Sequence, residues 1–283
     1  MKLFLLMIAG LIGVVPGFGA NHYVRQGASG SGSDWNNALA QIPSNKVRGD
    51  TYYIADGTYF GHNFSTGGTA TTYIKKATIA DHGTDVGWQD SYGDGRAEFS
   101  GLTFSTSNWV FDGQTGGGPG QWTQGHGFYI YTDGKGIQSL NGSASHITIM
   151  HTEIEGHGPD DAAGHNDGIY IIGPSSNWHF SHMYLHDMGR VHMLPASVDN
   201  VTIEYSCFAR NESTPAQHAE PIAVQGGDNY IIRYNRFVDG HVFQCNKQMV
   251  LSRATYHSLD SPGWASWAHL RNQGLCQGQP LLF

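Results

Sequence analysis

Ionisable residues recur just ahead of short apolar runs in the middle of the chain. His126 precedes Gly-Phe-Tyr-Ile, Asp167 precedes Gly-Ile-Tyr-Ile, and Glu220 precedes Pro-Ile-Ala-Val, while Arg190 and His192 flank Val191 between them. If these runs are strands stacked in register, one ridge carries His126, Asp167, Arg190 or His192, and Glu220. His165 and His218 then stand two residues before the two acids, with Asp160 and Asp161 in the loop ahead. A satisfied surface ladder is the competing reading. On such a ridge Asp167 and Glu220 lie two strands apart, about 10 Å at the usual inter-strand spacing. That is too wide for the ~5–5.5 Å pair of a retaining glycosidase and near the upper end for an inverting one. Abstraction of a proton α to a carboxylate instead needs a base, and a cation or metal to hold the carboxylate and the developing enolate. His218 or His192 fits the base, and Arg190, Arg210 or Arg233 fits the carboxylate partner. Asp160, Asp161, Asp167 and Glu220 are candidate ligands for Ca²⁺, a cation that takes oxygen donors. Elimination, epimerisation, hydrolysis and plain carbohydrate binding all stay open.

The elements that would position these residues are announced by a repeat. The phrase SHITIMHTEIEG at Ser145 returns as SNWHFSHMYLHDMG at Ser176, DNVTIEYSCFARN at Asp199 and DNYIIRYNRFVDG at Asp228, with an earlier copy, SNWVFDG, at Ser107. His146, Asn177, Asn200 and Asn229 align at steps of 31, 23 and 29 residues. A fixed apolar phrase with variable inserts is the signature of a solenoid, and the alternation Val201-x-Ile203 makes each copy a strand. A second strand per turn, at Gly127–Ile130, Gly168–Ile172 and Pro221–Val224, completes the expectation of an all-β parallel β-helix. Ile149, Ile154, Ile169, Leu185, Ile203, Phe208, Ile222, Ile232 and Phe237 should face inward. His151, His182, Tyr205 and Tyr234 form a further column, read as packing rather than chemistry.

The formal charge of −8 offers no basic surface for tracking phosphates, so nucleic acid is not an expected partner. Three widely spaced Cys give neither a disulfide framework nor metal-ligand spacing, although a single Cys245–Cys276 bridge stays open. Met1–Ala20, one Lys followed by an apolar run and small residues, reads as a secretory signal peptide, and no second membrane candidate follows. The expected organisation is therefore 1–20 signal peptide, 21–243 repeat domain and 244–283 irregular cap or truncated tail, because the phrase is lost after Gly240. A secreted monomer is the expectation. The Asp-rich insert from Asp81 to Asp94 reads as a solvated loop. Gly113–Gln124 reads as a mobile loop that leaves Trp122 free to stack on a sugar ring.

The entry to the repeat carries a resemblance. Tyr23-Val24, a Gly/Ser loop, Asp34-Trp35-x-x-Ala38-Leu39 and then GDTYYIADGTY from Gly49 resemble the start of secreted right-handed parallel β-helix proteins of the pectate-lyase-like superfamily. The resemblance implies a carbohydrate-active enzyme, most simply a polysaccharide lyase on a uronate-containing polymer, with a glycoside hydrolase or an epimerase as alternatives. It also implies a short capping helix at Ala38–Ile42. Within that family the base is usually Lys or Arg, whereas here no Lys falls between Gln138 and Asn246.

Overall fold

The computed structural model describes residues 19–140, 142, 144–158, 166–211 and 220–238, and the backbone of five short strands between Val242 and Leu282. Three faces follow one another along the chain and stack on themselves in parallel. The first face runs through Asn21–Val24, Thr51–Ile54, Thr72–Lys76, Trp109–Asp112 and Ile147–Met150, then through the later halves of Asp167–Ser181 and Val191–Glu204, to Tyr230–Arg233. The second face is Gly57–Tyr59, Ala97–Phe99, Phe128–Tyr131, Thr152–Glu155, Tyr184–Met188, Cys207–Asn211 and Arg236–Val238. The third is His62–Phe64, Leu102–Phe104, Lys135–Ser139 and the first halves of the two long strands. Those long strands cross from third to first face through an irregularity between Ile172 and Ser175, which joins the two faces into one sheet. The protein is thus all-β with stacked parallel sheets, compatible with a parallel β-helix.

Register confirms the repeat. Ile147 pairs with Trp178, Trp178 with Val201, and Val201 with Tyr230, the steps already seen in the sequence. The aligned residues do a specific job. Asn108, His146, Asn177, Asn200 and Asn229 all have φ between 55° and 65°, a left-handed corner for which Asn and His are the better-tolerated side chains. A second corner, between first and second faces, uses His151, His182, Tyr205 and Tyr234 at φ 51–56°. Their rings stack at 4.7, 5.4 and 5.1 Å, half-buried on the outside of the corner, so this column is structural but lies outside the core.

All nine residues expected to face inward are at most 1% exposed and share one cluster. Aromatic rungs continue it downward, with Phe64 stacked on Phe104 at 4.6 Å and Phe111 on Phe128 at 4.1 Å. Offset aromatic pairs of this kind add about 0.5–1.5 kcal/mol beyond burial.

Two expectations are corrected. Ala38–Ile42 is not a helix: Leu39 bridges Val24 in parallel, donates to the Tyr23 carbonyl and accepts from Arg25 N–H, both at 2.8 Å. The segment spends its backbone groups on the open edge of the first strand, and Pro43 supplies no donor for a helix to continue. The only helical turn among the described residues is the 3₁₀ turn Asp90–Tyr92. Nor does the stack end at Gly240, because Met249–Ser252 pairs with Tyr230–Arg233 and Thr255–His257 with Arg236–Val238. This rung lacks the Asn-x-Ile-Ile phrase, with Met249-Val-Leu-Ser252 standing in register with Tyr230-Ile-Ile-Arg233. Met1–Phe18 and most of 258–283 lie outside the described residues.

Candidate functional site

The ridge read from the sequence is divided by the register. Phe128 pairs with Ala97 and Thr152 on the second face, while Ile169 pairs with Ile137 and Met193 on the third, so His126 does not share a column with Asp167. Two apolar strands per turn, each led by a Gly, look alike in sequence although they belong to different faces. Asp167 and Glu220 do share the third face, since Met193 bridges Ile222.

Neither acid opens to a groove. Asp167 is 0% exposed and held bidentately by Arg190, with Nε donating to Oδ1 at 2.7 Å and Nη2 to Oδ2 at 2.5 Å. The Lys135 ammonium lies 3.6 Å away. A carboxylate so engaged is a structural charge, and the same bond raises the guanidinium pKa of Arg190 further. Glu220 is 2% exposed. His192 was expected to point to solvent, but it is wholly buried, hydrogen-bonded through Nε2 to the Ala209 carbonyl at 2.9 Å. Burial pushes its pKa down to about 4. Arg233 lies on the first face, donating to Glu204 at 2.7 Å, and Glu204 also meets His179 at 2.9 Å. Asp160, Asp161, His165 and His218 lie outside the described residues. Cys207 is a free thiol, buried and raised to about 11 by that burial.

A different cluster assembles on the outside of the second face. Alternation about the core residues Ile130, Ile154, Leu185 and Phe208 turns Tyr129, Glu153, Tyr184 and Cys207 outward in one row. Tyr131, Glu155, His186 and Ala209 form the next. One donor atom from each of Glu153, Glu155 and His186 falls within 4.8 Å of the others. His186 Nε2 meets Glu153 at 3.1 Å and Nδ1 meets Asp187 at 2.5 Å, while the Tyr129 hydroxyl donates to Glu155 at 2.7 Å. Arg210 donates to both Asp187 oxygens, at 2.6 and 2.7 Å, and to the Tyr184 hydroxyl at 3.0 Å. Burial opposes ionisation of Asp187, yet the bonds from Arg210 and His186 hold it below the usual carboxylate range. Arg96 lies 3.7 Å over the Tyr129 ring.

His126 belongs here, next to Glu153, rather than beside Asp167. Both line a cavity of about 620 Å³ with Arg96, Asp94, Ile79 and Thr115. The imidazole is 3% exposed, and burial lowers its pKa to about 4 against the pull of Glu153 and of the His182 backbone. It therefore stands neutral at neutral pH. His126, Tyr184 and His186 form a ring stack at 6.1 and 4.2 Å.

The borders of this face carry the long connections. Between Thr51 and Val238 the longest are 77–96 and 113–127 on one side, and 156–166 and 212–222 on the other. The Asp-rich insert within 77–96 is tied to the first-face strands beside it, Asp81 meeting Lys75 at 2.5 Å and accepting from the Tyr53 hydroxyl at 3.0 Å. The loop 113–127 is not free. His151 Nδ1 meets the Gly116 carbonyl at 2.7 Å, and Trp122 packs half-buried against Tyr184, Cys207 and Ala209.

Two carboxylates and an imidazole within 4.8 Å suit a divalent cation, whose oxygen ligands stand about 2.3–2.6 Å from the metal for Ca²⁺. Glu153, Glu155 and His186 went unremarked in the sequence. The signal was present, since Thr-Glu-Ile-Glu puts two acids on either side of one core Ile.

No protein family, no curated protein and no solved structure matches the chain.

Proposed function

We propose that the protein is an exported right-handed parallel β-helix, akin to the pectate-lyase-like superfamily, that cleaves a uronate-containing polysaccharide by β-elimination on its second face. The observation that carries this is the convergence of Glu153, Glu155 and His186 on an outward face bordered by the long connections. A divalent cation held by these three residues would offset the negative charge of a substrate carboxylate and of the enolate formed from it. Arg210, its pKa raised by the bond to Asp187, adds a fixed positive charge on the same face. His126, neutral and lining the cavity beside Glu153, is the described side chain suited to accept the α-proton. As that C–H bond breaks, its electron pair forms the new double bond, the bond to the glycosidic oxygen breaks, and that oxygen takes a proton. His218 stands as the other candidate base from the sequence.

Hydrolysis is the second reading, favoured by one observation: carboxylate oxygens of Glu153 and Glu155 within 4.8 Å, close to the ~5–5.5 Å separation of retaining glycosidases. The test is incubation with a panel of uronate polymers. Rising ultraviolet absorbance from the conjugated product supports elimination, and new reducing ends without it support hydrolysis. Neither signal on any polymer, acidic or neutral, refutes both.

A further inference from the structure

The loop 113–127 climbs. It leaves the rung of Trp109–Asp112 and lies against the corner at His182, two rungs higher. A Cβ on Gly117 would sit 2.4 Å from the His182 carbonyl oxygen, and one on Gly118 2.6 Å from the His182 ring. Both glycines have φ near 75°, so the approach needs residues without a side chain in a left-handed backbone. From there the loop crosses onto the second face and packs Trp122, together with Val238, against the outward cluster formed by Tyr184, Cys207 and Ala209. Cys207 points outward by alternation yet is 0% exposed. On the rungs below, beside the 620 Å³ cavity, Arg96 is exposed, Glu98 and Glu153 are half-buried, and Tyr129 is buried beneath the Arg96 guanidinium. A polymer running along the stack, between the bordering connections, meets the cluster of Glu153, Glu155 and His186 and then an indole immediately above it.

We infer that this strap makes the face end-directed: the site takes the terminus of an acidic polysaccharide chain rather than its interior, and Trp122 is the residue that sets this limit. The inference rests on the polysaccharide reading above. The strap's own corner contacts, the His151 bond to Gly116 and the flush glycines, hold Trp122 in place without using a residue of the cluster.

The test measures binding of the whole protein to polygalacturonate, polymannuronate and polyguluronate preparations of graded mean length, compared at equal mass. For end recognition the apparent Kd by mass rises in proportion to mean chain length, because shorter chains present more ends per unit mass. Trp122→Ala should remove the proportionality while binding persists, and far-ultraviolet circular dichroism checks that its fold is intact. Should Trp122→Ala fail to fold, the wild-type length series decides alone. Binding by the wild type that is independent of chain length overturns the inference and leaves the polysaccharide reading standing. A length-proportional Kd that survives unchanged in folded Trp122→Ala overturns the role of the strap. Absence of binding to every preparation overturns both.

Discussion

Removing the Arg190 side chain tests whether the Asp167 pair is architecture. Arg190→Met keeps most of the aliphatic volume but leaves a carboxylate that is 0% exposed without its bidentate partner. Breaking a buried pair from one side costs about 3–5 kcal/mol, because the remaining charge is neither solvated nor paired. The Lys135 ammonium, 3.6 Å from Asp167 Oδ2, survives in the variant and offsets part of this, which places the expected loss near 3 kcal/mol. Asp167→Asn should cost less, since the Arg190 side chain is 21% exposed and can turn to water. The assay is urea unfolding of wild type, both single variants and Asp167→Asn/Arg190→Met, read as a double-mutant cycle. A coupling energy above about 1 kcal/mol is expected, with the double variant more stable than Arg190→Met alone. If Arg190→Met falls within about 0.5 kcal/mol of wild type, the change behaves as an ordinary surface substitution and the buried-pair argument fails.

The remaining predictions follow from the same geometry. His192 has a folded pKa of about 4 against an unfolded value of about 6.5, so the unfolded chain binds the extra proton first. Stability is full above about pH 6.5, falls as the pH drops towards 4, and loses up to about 3 kcal/mol through this group. His192→Gln should flatten part of that slope in a pH series of unfolding curves, and an unchanged slope refutes the assignment. At the cluster, Ca²⁺ or Mn²⁺ should raise the melting temperature of the wild type, and Glu153→Gln/Glu155→Gln should abolish the shift, whereas a shift kept by the double variant places the cation elsewhere. On a confirmed substrate, His126→Ala should lower turnover by roughly a hundred- to ten-thousand-fold if it is the base. Full activity in His126→Ala together with its loss in His218→Ala reassigns that role.

Much of the fold was legible because a stack repeats its demands. The corner at Asn108, His146, Asn177, Asn200 and Asn229 needs a left-handed backbone, and the core row needs an apolar residue, so both recur whatever lies between them. The rung at Met249–Ser252 is hard to read because Gln248 stands where the phrase has Asn229, and Met249 and Leu251 stand in register with Tyr230 and Ile232 without the polar residues that alternate with them elsewhere. The site was harder to read. Alternation about Ile154 was visible, but whether a strand such as Phe128–Tyr131 belongs to the second or the third face depends on how many residues the preceding corner consumes. The insert 77–96 and the strap 113–127 obscure that count. Burial told against Asp167, Glu220 and His192, and no pattern of residue types announces that a charged side chain will be folded under its neighbours.

The corners also set where the molecule tolerates change. Each first-to-second-face corner needs only a residue or two when no insert is present, as at His151 or His182-Met183. The turn from Asn177 to Asn200, with no long insert, is close to the shortest circuit the chain makes. A circuit is therefore a unit of length: adding or deleting one changes the stack by about 4.8 Å, the spacing of paired strands, and alters the partners only of the rungs that flank it. The walls can be lengthened, shortened or exchanged at the borders of one face while the cylinder beneath them is untouched. Such a scaffold can acquire new ligands by grafting loops onto a surface whose backbone positions are already fixed.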